Sequence, residues 1–206
     1  RYIGDWSSDV CSSDLFITEF YKIPFKGKIR NAYENGVKDI WGWSCQKLNL
    51  PIHVKDSFLW IYRNHSPKLN LFKGISELFF ELNKLGAKIA ILTDGRSTTQ
   101  RSKLSALELD HFPHYISEEY DSCKPDLKRF LMIEKRWEGY DYVYVADNSK
   151  KDFIAPNHLG WISLGADWCK NKIHKNKLEE EIQPEIWIKD PIDVLRILKS
   201  KKLKLK

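Results

Sequence analysis

The chain has 206 residues, of which 42% are hydrophobic and 30% are charged. This length and composition fit one globular domain with a modest insertion, and they exclude a disordered or fibrous chain. No apolar run approaches the roughly 20 residues of a membrane span, so we expect no membrane contact. The formal net charge is +6, but residues 199–206 hold five lysines and the rest is near +1. We attribute the positive net charge mainly to this lysine-rich tail, and we expect no nucleic-acid partner.

Residues 1–15 differ in character from everything that follows them. The segment is polar and rich in serine, and residues 5–15 (DWSSDVCSSDL) resemble a translated sequencing adapter. We therefore treat residues 1–15 as artefactual and exclude them from fold prediction. The three cysteines outside this segment form no Cys-x-x-Cys pair. Their spacing favours reduced thiols and a cytoplasmic location over a disulfide framework.

Residues 16–71 contain no convincing strand pattern. Their hydrophobic spacing predicts a mainly helical segment, which could form a small accessory domain. The segment is rich in aromatic side chains: Tyr33, Trp41, Trp43, Phe58, Trp60 and Tyr62.

From residue 72 the chain alternates helical and strand-like segments. The predicted elements, in order, are a helix over 74–85, a strand over 87–92, a helix from Ser97, a short strand over 115–117, a helix from Lys124, strands over 140–146, 160–164 and 185–188, and a last helix carrying Leu195 and Leu198. In the helix from Lys124, the residues predicted to face inward are Leu127, Phe130, Leu131 and Trp137. This alternation is typical of an α/β fold with a parallel sheet covered by helices on both faces.

Polar side chains follow three of the predicted strands. They are Thr93 and Asp94 after the first strand, Lys124 after the second, and Asp147 and Asp152 after the third. Because the carboxyl ends of parallel strands meet at one sheet edge, we expect these groups to converge there. A hydroxyl, a lysine and carboxylates in one place suit a phosphate group held with a divalent metal.

Three segments carry a resemblance to a known family: ILTDG at 91–95, CKPD at 123–126 and VADNSKKD at 145–152. In order and placement they resemble motifs II, III and IV of the haloacid dehalogenase superfamily, in its phosphatase-like branch with a helical cap. The resemblance implies a three-layer Rossmann-like core over residues 72–198, with the cap and its linkers within 16–71. Residues 199–206 form the tail.

The resemblance also implies roles for individual residues. Thr93 would bind the phosphoryl group, together with the adjoining Asp94 and Gly95 of the same loop. Lys124 would stabilise negative charge on the nucleophile and the phosphate. Asp147 would bind Mg²⁺, with Asp152 as a second ligand or as an orienting group.

The sequence departs from the family at its first motif, Asp-x-Asp-x-Thr, which supplies the nucleophile and the general acid/base. Asp14 and Thr18 have the right spacing, but Phe16 stands in place of the second acid. Asp14 also lies inside the adapter-like segment, which makes it a weak candidate. We expect that this segment has replaced the family's central first strand, and that this chain is inactive.

Two functions therefore stay open. The first is a Mg²⁺-dependent phosphohydrolase of a small phosphorylated metabolite, such as a sugar phosphate, working through an aspartyl-phosphate. The second is a non-catalytic relative that binds a phosphorylated ligand or a protein partner.

The loss of a central strand predicts a destabilised chain. The two strands beside it would lack a shared partner. Their backbone groups would then be without hydrogen bonds, and their apolar faces would be exposed. We expect a broad thermal transition by circular dichroism. A sharp, cooperative transition in a well-expressed protein would contradict this expectation.

Overall fold

A computed structural model describes residues 27–64, 67, 69–168, 182–201 and 203 of the protein. The described residues divide into two compact units. One contains residues 71–97 and the described residues from 111 onward, and the other contains 27–70 and 98–110. The adapter-like segment lies outside the described residues, so its interpretation stays a prediction, as does the assignment of a cap.

Residues 27–64 form three helices, α1 (Lys28–Glu34), α2 (Ile40–Lys47) and α3 (Val54–Asn64). They enclose a small core of Ile29, Cys45 and Phe58. The described part of this segment contains no strand, so its helical prediction is confirmed there.

The remaining elements follow in the predicted alternation. They are α4 (Ile75–Lys84), β1 (Ile91–Thr93), α5 (Ser97–Ala106), β2 (His114–Ile116), α6 (Ser117–Tyr120), α7 (Lys128–Arg136), β3 (Val143–Ala146), α8 (Ile154–His158), β4 (Ile162–Ala166), β5 (Ile186–Ile188) and α9 (Asp193–Ser200). Every described strand pair is parallel: β1 pairs with β2, and β4 lies between β3 and β5. The predicted α/β class is confirmed. Within the described residues no ladder joins the two sheets.

Strand β3 has a core on each of its faces. Val143 and Val145 pack with α4, β4 and α9 in one cluster, whereas Tyr144 packs with β1, β2 and α7 in another. Successive side chains of a strand point to opposite faces, so this division follows from the alternation itself. Both faces are therefore filled by apolar groups, and the polar groups are left to the strand ends.

Several element boundaries differ from the predictions. Strand β1 begins at Ile91 instead of residue 87, because its described ladder starts where Ile91 pairs with His114. Helix α7 begins at Lys128, after a turn in which Asp126 Oδ1 accepts a hydrogen bond from the Lys128 N–H.

The inner face of α7 also differs from the prediction. Leu131 was expected inside, but it is 45% exposed, whereas Arg129 is fully buried beside Phe130. Arg129 lies one helical turn before the buried Ile133, so it shares the inner face with that residue.

The described helices include none that is long and apolar enough to cross a membrane. Cys45 and Cys123 both carry unpaired thiols, Cys45 buried and Cys123 exposed. Cys169 is the third cysteine beyond residues 1–15, and it lies outside the described residues.

Gly165 in β4 is a position where a side chain cannot fit. A Cβ at this residue would lie 2.6 Å from both Trp187 Cδ2 and Pro184 Cγ, well inside van der Waals contact. We expect Gly165→Ala to lower the free energy of unfolding by about 2 kcal/mol, measured by urea denaturation. In a Trp187→Ala background the cost should shrink, since much of the clash is removed. An equal cost in both backgrounds would contradict this account.

Candidate active site

The carboxyl ends of β1 and β2 are joined by the side chain of Arg129. Its Nη1 donates to the main-chain oxygens of Thr93 and Tyr115, at 2.8 and 2.9 Å. Arg129 comes from α7, so one guanidinium fixes the end of both strands against the helix that follows them. Its charge is fully buried and therefore requires an anionic partner.

That partner is Asp94, the residue directly after β1. Asp94 Oδ1 lies 2.5 Å from Arg129 Nη2, and Asp94 Oδ2 lies 2.5 Å from Lys151 Nζ. The Lys124 N–H also donates to Asp94 Oδ1, at 3.3 Å. One carboxylate thus links the three loops that carry the family-like motifs. Burial alone would raise the pKa of Asp94, but the charge of Lys124 and the hydrogen bonds from Lys151 and Arg129 lower it to about 2.

Lys124 forms a third ion pair in the site. Its Nζ lies 2.7 Å from Asp152 Oδ1, with side chains that are 1% and 0% exposed. Lys124 Nζ also donates to Tyr144 Oη at 3.2 Å. Burial opposes the ionisation of Asp152, yet the charge of Lys124, together with hydrogen bonding that includes the Asn148 N–H, keeps the pKa of this carboxyl below its usual value.

The loop after β3 holds the two predicted metal ligands in different environments. Both oxygens of Asp152 are engaged, Oδ1 by Lys124 and Oδ2 by the Asn148 N–H at 3.1 Å. Asp147 Oδ1 is buried and has no hydrogen-bond partner among the described residues. The described part of the chain contains no cluster of three or more His, Cys, Asp or Glu side chains able to hold a metal.

The loop between β1 and α5 already has partners for its amides. The Gly95 N–H donates to Ser117 Oγ at 2.8 Å, and the Ser97 N–H donates to Glu118 Oε2 at 2.7 Å. The start of α5 is thus stabilised by a carboxylate from a later turn. Gly95 was predicted to bind the phosphoryl group together with Thr93, and that role stays a prediction.

The structure brings together most of the residues predicted for the site. Contacts link Asp94, Lys124 and Asp152 directly, while Thr93 is the last residue of β1 and Asp147 directly follows β3. Their roles in phosphate and metal binding stay predictions. Asp14 lies outside the described residues.

Three site residues were missed in the sequence: Arg129, Tyr144 and Lys151. Arg129 had a usable signal, because it is four residues before Ile133 and so on the inner face of α7. Tyr144 and Lys151 had none, since an aromatic residue in a strand and a lysine in a turn are ordinary occurrences.

A parallel α/β fold places its ligand site beyond the carboxyl ends of the strands, where these lysine and carboxylate groups lie. A family model described as haloacid dehalogenase-like hydrolase matches residues 10–166. The chain therefore belongs to this family. The matched residues include Asp14.

Curated relatives share part of this sequence. The chain is 26% identical over 136 residues to a glyceraldehyde 3-phosphate phosphatase of Methanopyrus kandleri, covering 64% of this chain and 58% of that protein. It is 34% identical over 88 residues to the enzyme of the same name from Methanocaldococcus jannaschii, covering 41% of this chain and 39% of that protein. The chain thus spans less than two thirds of the length of either relative.

Solved structures share the fold. A putative haloacid dehalogenase-type hydrolase, YfnB of Bacillus subtilis, determined bound to magnesium, has a TM-score of 0.66 at 16% identity over 93% of this chain and 91% of that one. A putative β-phosphoglucomutase from Thermotoga maritima has a TM-score of 0.67 at 14% identity, covering 92% of this chain and 90% of that one. At these identities the likeness supports the fold alone.

Because Asp94 is the anion that pairs with the buried Arg129, we expect Asp94→Asn to lower the stability of the protein. The change leaves the buried Arg129 charge without its anion, which should cost about 3 kcal/mol of unfolding free energy at pH 7. Because the pKa of Asp94 is lower in the folded state, its contribution is present above pH 4 and lost as the pH falls towards 2. The difference in unfolding free energy between the original protein and Asp94→Asn, measured by urea denaturation, should therefore shrink as the pH falls from 4 towards 2.

Asp193→Asn is the matched control, since the partner of Asp193 is the exposed Arg196. We expect it to cost less than about 1 kcal/mol. Equal losses in the two variants would contradict the special role of Asp94.

Proposed function

We propose that this chain has the site of a Mg²⁺-dependent phosphohydrolase for small phosphorylated metabolites. The observation that carries the proposal is the buried Lys124–Asp152 ion pair at the carboxyl edge of the strands. An ammonium group has three N–H donors. Tyr144 Oη accepts from one of them, Asp152 Oδ1 lies in ion-pair contact at 2.7 Å, and at least one N–H has no hydrogen-bond partner among the described residues. A phosphoryl oxygen is a suitable acceptor for that donor.

The charges around the site support an anionic substrate bound with a metal. Three cations, Lys124, Arg129 and Lys151, stand with three carboxylates, Asp94, Asp147 and Asp152. The protein groups therefore balance one another. A divalent cation would leave two positive charges, which a phosphate dianion would neutralise.

The donor set fits Mg²⁺ at Asp147. This ion prefers oxygen ligands and is commonly held by one or two carboxylates together with water and substrate phosphate. Asp147 Oδ1 is a buried carboxylate oxygen without a partner in the described chain, so we assign it as the direct ligand. Asp152 is already engaged by Lys124 and Asn148, which favours its role as the orienting group. When bound, Mg²⁺ supplies neutralisation of phosphoryl charge.

The chemistry would proceed by phosphoryl transfer to an aspartate. In the first step the P–O bond to the substrate alcohol breaks as a P–O bond to the carboxylate forms, and a general acid protonates the leaving alcohol. Water then attacks phosphorus, the P–O bond to the carboxylate breaks, and inorganic phosphate is released. Lys124 stabilises the phosphoryl charge throughout both steps. In the sequence Asp14 is a weak candidate for the nucleophile, and Phe16 stands at the position of the second acid.

The relatives suggest the substrate to test first. The curated proteins of similar sequence are named glyceraldehyde 3-phosphate phosphatases. A three-carbon sugar phosphate therefore represents the class of substrate that we propose for this chain. The phenylalanine at position 16 favours a second candidate, a non-catalytic module that binds a phosphorylated ligand, because that residue cannot transfer a proton.

A variant that is expected to gain phosphatase activity can separate the hydrolase from the non-catalytic module. We expect the chain to hydrolyse glyceraldehyde 3-phosphate slowly or not at all in Mg²⁺ buffer. Phe16→Asp should raise the release of inorganic phosphate by about 100-fold, since a placed general acid contributes at least that factor. Adding Asp14→Asn should abolish the gain, and so should EDTA. Phosphate binding without any gain from Phe16→Asp would instead support the non-catalytic module.

The role of Lys124 is tested with the double variant Lys124→Met/Asp152→Asn, which removes the ion pair without leaving a buried unpaired charge. In the Phe16→Asp background this variant should lose activity at least 100-fold while keeping its circular dichroism spectrum. Lys128→Met is the control, because Lys128 is exposed and its Nζ donates to the Tyr120 main-chain oxygen. Similar losses in both variants would contradict the role of Lys124.

A further inference from the structure

Tyr144 makes a contact that the proposed chemistry does not yet explain. Its ring lies on one face of β3, with its centroid 5.3 Å from that of Phe130 in an edge-on arrangement. Its hydroxyl accepts a hydrogen bond from Lys124 Nζ at 3.2 Å. A phenylalanine would fill the same apolar space without offering this acceptor, so packing alone does not account for the hydroxyl.

The hydroxyl and Asp152 act on Lys124 in different ways. Asp152 supplies a negative charge at 2.7 Å from Nζ, whereas a tyrosine hydroxyl supplies only an acceptor. Burial, followed by the charges of Asp152 and Asp94, raises the pKa of Tyr144 well above its usual value, so the hydroxyl stays protonated and uncharged. Tyr144 can therefore direct an N–H of Lys124 without cancelling any of its positive charge.

Two fixed acceptors determine the direction of the third donor. The contact with Asp152 alone leaves a range of torsion angles about the Cε–Nζ bond. The hydroxyl of Tyr144 on β3 narrows that range, so the remaining N–H points in a defined direction. A donor oriented before the substrate arrives strengthens binding, because the cost of ordering it has already been met during folding.

We propose that Tyr144 is a positioning residue for Lys124, whose hydroxyl orients the ammonium group towards a bound phosphoryl group. This inference rests on the phosphate site of the proposed function, but it does not require that the chain complete a hydrolytic cycle. The ligand to which it applies is any phosphate monoester or inorganic phosphate.

The test is the affinity for inorganic phosphate in Mg²⁺ buffer, measured by isothermal titration calorimetry. Tyr144→Phe keeps the ring and removes the acceptor, so we expect about tenfold weaker binding, the usual effect of losing a hydrogen bond to a charged group. Tyr142→Phe is the matched control. Tyr142 belongs to the same aromatic cluster, but its hydroxyl donates to the main-chain oxygens of Trp137 and Glu134. We expect it to change phosphate affinity by less than about twofold, whatever it does to stability.

A third comparison separates positioning from a general loss of structure. In the Lys124→Met/Asp152→Asn background, phosphate binding should be absent, or any residual affinity should be insensitive to Tyr144→Phe. A tenfold loss on adding Tyr144→Phe in that background would overturn the proposal. So would equal affinities for the original protein and Tyr144→Phe, or equal losses in Tyr144→Phe and Tyr142→Phe.

The outcomes also distinguish this inference from the proposed function. Failure of the original protein to bind phosphate would contradict both proposals. Phosphate binding that depends on Tyr144 and Lys124, without hydrolysis by any Phe16→Asp protein, would contradict the hydrolase and leave the assignment of Tyr144 in place.

Discussion

The Asp94 carboxylate is the interaction on which the geometry of the site depends. A fully buried guanidinium from α7, the partly exposed lysine of the loop after β3 and the main chain of Lys124 all donate to it. A buried charge without a partner is costly, so these three contacts constrain three separate loops at once. Arg129 adds two bonds to the ends of β1 and β2. These contacts therefore fix the ends of both strands relative to α7.

The three carboxylates of the site have different contacts. Asp94 pairs with Arg129 and Lys151, and its pKa of about 2 keeps it ionised at any ordinary pH. Asp152 pairs with Lys124, the cation that we propose acts on a phosphoryl group. Asp147 is left with a buried carboxylate oxygen that the described protein does not satisfy. An oxygen of this kind is the natural place for a ligand from outside the chain, such as a metal ion.

Much of this site could be predicted, because its residues lie next to strong local signals. Thr93, Asp94 and Asp147 each directly end or follow an apolar strand, and the carboxyl ends of parallel strands share one edge. The paired charges could not be predicted. Asp94 was placed with the phosphate ligands, yet its side chain contacts Arg129 and Lys151, which are 35 and 57 residues away in the chain. The helix that carries Arg129 was predicted with Leu131 inside, because hydrophobicity favoured the leucine over an arginine on the face of Ile133, yet Arg129 is buried and Leu131 is exposed.

The sequence by itself determined the order of helices and strands, the parallel α/β class and the three motifs that identify the haloacid dehalogenase-like hydrolases. These follow from hydrophobic periodicity and from residue types at short spacing, which are local properties of a chain. Only the tertiary structure decided which carboxylate pairs with which cation, and that Tyr144 contacts Lys124. Those choices depend on distances between residues far apart in sequence and on the absence of water around buried charges. Neither is encoded by any short segment, and both arise only when the strands and helices pack.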